Sequence, residues 1–166
     1  MDNKQCCSTD KGSCSTKKGK CPITGCCMLK GLMVIAAAFA ALFAFDWVFH
    51  GQIMMDQYKA TASMWRPESE MQNYWWVCIG TKLVTAAIFA CLYCRFCGCC
   101  DDGVCPVKKG VKLGFKLGLL LGLAAFASYA WMPIPMEMAV AWLVGNTVKG
   151  IFVGAVLGMM YKGCKK

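Results

Sequence analysis

Four windows of the 166-residue chain are long and apolar enough to cross a bilayer, and that constrains the fold more than any other feature. Spanning ~30 Å of hydrocarbon takes about 20 residues at ~1.5 Å each. The first window runs from Gly31 to about Phe49, the second from about Tyr74 to Cys94, the third from about Leu113 to Met132, and the last from about Met138 to Tyr161. Hydrocarbon offers no water to bond a bare backbone, so only helices and closed barrels span it. Apolar runs of this length predict an all-α polytopic membrane protein with four transmembrane helices in two antiparallel hairpins. Composition agrees: the chain is 58% hydrophobic and 16% charged, against about 45–50% and ~25% for soluble domains. A basic leader before an alanine-rich run also resembles a cleaved signal peptide. Here the leader is about 30 residues and the apolar run nearly 19, both too long, so the first span is read as retained.

Orientation follows from the basic residues. Segments 1–30, 95–116 and 162–166 carry fourteen of the eighteen Lys and Arg but only four of the nine acids, a net charge of about +10. Segments 50–73 and 132–137 carry about −2. The positive-inside rule then puts both termini and the middle loop in the cytoplasm, in a cytoplasmic (inner) membrane. Segment 1–30 reads as a flexible Cys- and Lys-rich tail, 31–161 as the bundle and 162–166 as a basic tail. The overall charge of +9 thus sets topology, reinforced by anionic lipid, and a nucleic-acid partner is not needed. Trp47, Trp65, Tyr74, Trp75, Trp76, Trp131 and Trp142 gather at the other side, as an interfacial aromatic belt would.

Small residues predict how the helices pack. Gly114, Gly118 and Gly122, with Gly110 just before, recur every four residues in the third span. Gly150, Gly154 and Gly158 do so in the fourth, with Asn146 on the same face. Such spacing lets backbones approach closely in lipid. Two ladders joined by a short loop predict a tight antiparallel hairpin, with a homodimer face as the alternative. Ala37, Ala40, Ala41 and Ala44 form a similar stripe in the first span. Trp76, Gly80 and Lys82 stand against Trp142, Gly145 and Lys149, each Lys twelve residues before its span ends. This pattern matches a duplicated hairpin, a parallel repeat of the kind some transporters use.

Charges inside the spans are the first candidate site. Lys149 falls about 16 Å and Lys82 about 12 Å along their helices. Charges at that depth turn toward the bundle interior and seek partners. Asp46 is the only acid inside a span, with His50 at i+4 on the same face. Cys78, Lys82 and Thr85 share a face of the second span. An Asp46–Lys82 pair is expected, joined by His50, Asn146 and Lys149. Two lysines to one acid leave a cation to be balanced by proton loss or a bound anion. The network reads as an ion or proton path, an anionic-ligand site, or a structural polar cluster with lysines that snorkel.

Thiols are the second. The tail holds Cys6, Cys7, Cys14, Cys21, Cys26 and Cys27 in a seven-residue repeat beginning at Cys7, Cys14 and Cys21. Cys91, Cys94, Cys97, Cys99, Cys100 and Cys105 lie at the end of the second span and in the loop after it, and Cys164 in the C-terminal tail. Thirteen of fourteen cysteines therefore fall near the cytoplasmic, reducing side, where metal or redox chemistry is favoured over disulfides. Cys91, Cys94 and Cys97 form C-x-x-C-x-x-C, whose gaps let thiolates converge on Zn(II) or Cu(I). The fourth ligand spacing of an iron–sulfur run is missing. Acylation of juxtamembrane cysteines and cysteine drift without function are the competing readings. Met54, Met55, Met64, Met71, Met132, Met136 and Met138 populate the opposite side, where they serve better as interfacial apolar residues than as a copper path.

The first outer loop is apolar at near-helical spacing through Met54, Met55, Tyr58, Ala62 and Trp65, which predicts a short interfacial helix ending before Pro67. Asp46-Trp47, His50-Gly51, Tyr58, Thr61 and Trp65-Arg66-Pro67, with Trp131-Met132-Pro133, resemble small bacterial four-helix integral membrane proteins of unknown function (DUF1761-like). That resemblance covers about residues 29–162 and implies a prokaryotic multi-pass protein without implying an activity. The cysteine tail and the Cys91–Cys105 cluster depart from it. The most economical role is to bind or move a small solute, in the first place a soft metal ion held by the cytoplasmic-side cysteines. The alternative is a non-catalytic accessory subunit of a larger membrane complex, or a homo-oligomer. With one His and no nucleophile–base pair, an enzyme is not expected.

Overall fold

The computed structural model describes residues 28–96 and 105–162, which contain helices and no strand. The N-terminal thiols, Cys97, Cys99, Cys100 and Cys164 lie outside the described residues. Helix α1 (Met28–Val48) continues into a π-helical turn at Phe49–Ile53. The outer loop folds as the short helices α2 (Met55–Ala60) and α3 (Glu68–Met71), and α4 (Trp75–Phe96) follows. Helices α5 (Pro106–Ala127) and α6 (Met136–Lys162) complete the chain. Four helical segments are long and apolar enough to cross a membrane: Gly31–Ile53, Glu68–Phe96, Pro106–Ala130 and Met136–Tyr161. Apart from a lysine stripe on the first half of α5, they are apolar on nearly every side, as lipid-surrounded helices are.

The third span differs from expectation at its start. Helix α5 begins at Pro106, well before Leu113, because proline suits the first helical position, where a missing N–H costs nothing. Lys108, Lys109, Lys112 and Lys116, read as part of the cytoplasmic segment, therefore belong to this helix.

Helices α5 and α6 make the most extensive contact in the molecule. Gly110, Gly114, Gly118 and Gly122 are buried against α6. A Cβ on Gly118 would lie 2.6 Å from the Asn146 carbonyl oxygen, and one on Gly122 2.6 Å from that of Leu143. At Gly114 it would fall on the Gly150 carbonyl, and at Gly154 on that of Gly110. Both ladders are thus spent on internal packing, backbone against backbone, rather than on a dimer face.

Helix α1 packs through a buried face that shares only Ala41 with the alanine stripe. Ala40 and Ala44 are exposed, while Val34, Ala38, Ala41 and Leu42 are buried against Ala86, Phe89, Ala90 and Tyr93 of α4 and Val153 and Leu157 of α6. The broader Val and Leu side chains move the contact about a third of a turn from the run of alanines. Tyr93 stacks on Tyr161 and donates its hydroxyl to the Pro106 carbonyl oxygen (2.9 Å), tying the end of α4 to the start of α5. Above that tie α4 leans away, and every residue from Trp75 to Thr81 is exposed. At the same end the outer loop forms a lid. Met54, Ile134, Met138 and Ala139 are buried there, with Tyr58, Trp65 and Trp142 packed on them. The methionines of this side accordingly divide into packing residues (Met54, Met64, Met132, Met138) and exposed apolar ones (Met55, Met71, Met136).

Candidate functional site

Asp46 sits near the C-terminal end of α1, with α4 on one side and α6 on the other. Its carboxylate is gripped from both. Lys82 Nζ bonds Oδ2, and Lys149 Nζ bonds Oδ1 at 3.1 Å. Asp46 and Lys149 keep 14% and 15% of their side chains exposed and Lys82 24%, so these are partly buried pairs rather than surface ones. An uncompensated Lys at this depth costs about 2.5–3.5 kcal/mol even on the lenient insertion scale, which explains why both lysines converge on the one acid. The expected Asp46–Lys82 pair is present, and Lys149 joins it as an equal.

A second tier of bonds extends toward the lid. The π-helical turn after α1 widens the backbone and carries His50 to face both ways. Its Nε2 is 3.9 Å from Asp46 Oδ1, and its Nδ1 is 2.7 Å from Tyr58 Oη. Trp142 Nε1, which can only donate, donates to the same Tyr58 oxygen at 3.0 Å. The Tyr58 hydroxyl thus bridges Trp142 and His50 Nδ1, while the other ring nitrogen of His50 faces Asp46. Burial pushes the Tyr58 phenol above its ordinary value; the Trp142 bond opposes the shift and the Asp46 charge adds to it. Asn146, one turn from both Trp142 and Lys149, donates to the Trp142 carbonyl (2.8 Å). Trp65 Nε1 donates to Thr61 Oγ1 (2.9 Å), and its ring meets Tyr58 edge-on. The chain Lys82/Lys149–Asp46–His50–Tyr58–Trp142 thus joins all four elements around the lid.

A cavity of about 270 Å³ opens beside the carboxylate, where α4 leans away from α5. Asp46, Thr81, Lys82, Thr85, Asn146 and Lys149 supply its polar wall and Leu42, Leu121 and Ala125 the apolar one. Each ammonium uses one N–H on Asp46 and has others to offer. The volume is near the low end of small-ligand sites, ~300 Å³.

The cysteines behave otherwise. Cys91 is exposed and Cys94 buried, so the two described members of the C-x-x-C-x-x-C point to different environments. Among the described residues no group of three or more His, Cys, Asp or Glu is placed to hold a metal ion.

All five polar residues singled out from the sequence (Asp46, His50, Lys82, Asn146, Lys149) meet in one place. Tyr58 and Trp142 were missed as members, since Trp142 reads as a belt aromatic and Tyr58 as part of the short interfacial helix. The available signal was Tyr58 lying eight residues beyond His50, after a turn. Of the cavity-lining threonines, Thr85 was placed on the face of Lys82 from its spacing, whereas Thr81 carried no signal beyond being its neighbour.

The fold and this site define a multi-pass α-helical protein of the lipid bilayer with a charged cluster inside its spans. Compared with known proteins, the chain matches no family model, no curated protein and no solved structure.

Proposed function

We propose that this chain binds or moves a small monovalent anion through the cavity at Asp46, in a cytoplasmic (inner) membrane with both termini in the cytoplasm. One observation carries the reading: a single carboxylate is shared by two ammonium groups on the wall of a cavity inside the spans. With both lysines protonated the cluster holds one excess positive charge, and a bound monovalent anion cancels it. Thr81, Thr85 and Asn146 add polar atoms to the same wall, and His50 and Tyr58 offer a route for protons from the lid. No catalytic step is assigned. Kinship with the small bacterial proteins of the Asp46-Trp47, His50-Gly51 pattern belongs to the same proposal.

The test is anion binding by the purified protein in vesicles, read with chloride, acetate and sulfate. We expect chloride and acetate to bind and sulfate not to. Lys149→Met should abolish binding, and Asp46→Asn, which adds a charge, should tighten it and admit sulfate. Equal, weak uptake of all three anions by the wild type and by Lys149→Met would overturn the reading.

A soft metal at the cytoplasmic-side cysteines is the second reading. It is favoured by the Tyr93–Pro106 bond, which brings the Cys91–Cys94 end of α4 next to Cys105. Cys97, Cys99 and Cys100 belong to the proposed ligand set. Stoichiometric Zn(II) or Cu(I) in protein purified under reducing conditions, lost when Cys91–Cys105 are changed to Ser, supports it; metal-free protein removes it.

A further inference from the structure

The glycine ladder that fixes the α5–α6 hairpin also fixes the depth of a lysine that the ion cluster does not use. Gly114 abuts Gly150, and Gly118 abuts Asn146 and Thr147. Lys116, between those glycines in sequence, therefore lies at the level of Lys149, in the middle of the bundle. It is on the opposite side of α5. Gly110, Gly114, Gly118 and Gly122 are buried toward α6, whereas Lys108, Lys112 and Lys116, also spaced by four, are exposed. Two residues on a helix turn by about 200°, so the lysine stripe faces directly away from the ladder. Lys108, Lys112 and Lys116 make no ion pair with any described residue. Phe115, Leu120 and Leu123 continue the same exposed surface toward the lid.

We infer that this face of α5 docks a transmembrane helix of a partner protein that carries a carboxylate at the depth of Lys116. Charge complementarity selects that occupant. A second copy applied by two-fold symmetry would set the lysine stripe against itself. Lipid headgroups begin about 15 Å from the midplane, beyond the stem of a side chain at that depth, although Lys108 and Lys112 reach them. A buried carboxylate on a neighbouring helix satisfies Lys116 where it stands, and apolar side chains of that helix cover Phe115 and Leu120. The inference is independent of the anion site, whose lysines are already engaged by Asp46.

The test uses the full chain in neutral phosphatidylcholine vesicles with fluorescent synthetic peptides at pH 8. One is a leucine helix with a single central Glu; its controls carry Gln or Leu there. Energy transfer should show the Glu peptide associating at least about tenfold more tightly than the Leu peptide. Lys116→Leu should erase that difference and Lys116→Arg keep it, while Lys108→Gln and Lys149→Met leave it unchanged. Equal association of the three peptides, or a Glu preference that survives Lys116→Leu, would overturn the inference. So would a stripe that instead retains phosphatidylglycerol in a Lys116-dependent way, which would assign the face to anionic lipid.

Discussion

The two hairpins of this bundle are held together by different physics. Between α5 and α6, glycines bring backbones into direct contact along four turns. Between α1 and α4, side chains pack at the end where α1 begins and α4 finishes and then part, and the gap is crossed by Lys82 reaching Asp46. In lipid there is no hydrophobic force between helices, so close van der Waals contact and polar bonds are the available glues. The first gives a rigid scaffold. The second leaves a cavity, because a pair of long side chains holds two helices at a distance. The proposed anion site lies in the loosely joined half, and the tight half positions Lys149 and Asn146 against it.

The sharpest way to break this contrast is at Gly114. A larger side chain there meets the Gly150 carbonyl, and backbone cannot step aside as a side chain can. Gly114→Leu should separate α5 from α6 and cost at least about 3 kcal/mol, the upper range for overpacking. Denaturant titration in detergent checks this, and unchanged unfolding would mean that the ladder is not the principal contact.

Next comes the shared acid. Asp46→Asn leaves two lysines facing one neutral amide, and breaking a buried pair in this way costs roughly 3 kcal/mol. Lys82→Met should cost less, about 1 kcal/mol, on the low side of a charged hydrogen bond, because Lys149 still neutralises Asp46. If Lys82→Met proved as damaging as Asp46→Asn, the symmetric grip of the two lysines would be wrong.

The lid yields a smaller effect with a pH signature. Tyr58→Phe removes the acceptor of Trp142 and the hydrogen-bond partner of His50, worth about 1–2 kcal/mol. The phenol's value is raised in the folded state, so the folded protein holds its proton longer than the unfolded chain does. Its contribution is complete below the ordinary phenol value, ~10, and is lost as pH rises from there through the higher folded-state value. The ultraviolet phenolate titration of the native protein should therefore lose its late component in Tyr58→Phe.

How much of this was legible beforehand depends on the length scale of the signal. The spans were legible because about 20 apolar residues in a row have few other fates, and the ladders because a four-residue repeat of glycine encodes one face of one helix. The ion cluster was legible for a related reason: a lone acid and two lysines inside apolar runs have nowhere to go but each other. Helix ends were not. Pro106 starts α5 early, and that places Lys116 inside the bundle's depth although it had been counted with a loop. The alanine stripe misled because small size permits packing without compelling it; Val34 and Leu42 bury more surface than Ala40 or Ala44 and won the interface. Tyr58 joined the site through the fold of the lid, and its spacing of eight residues from His50 becomes a signal only once the turn between them is known.

The proposed duplication can be settled with the smallest perturbation of all. In sequence Gly80 answers to Gly145, as Lys82 does to Lys149, and the lysines do hold equivalent places on Asp46. The glycines do not. A Cβ on Gly80 would meet nothing within 4 Å, whereas one on Gly145 would run into the Phe49 ring, with Cε1 at 2.7 Å. That ring is itself confined, stacked on Phe45 and edge-on to His50. Gly80→Ala should therefore be neutral or stabilise by up to about 1 kcal/mol, the helix-propensity gain. Gly145→Ala should destabilise and, by displacing Phe49, disturb His50 and its bond to Tyr58. Opposite signs would mean that the repeat survives only in its charges, at the shared carboxylate. Equal, unfavourable changes would mean that α4 closes onto a neighbour at Gly80 as tightly as α6 closes onto α1.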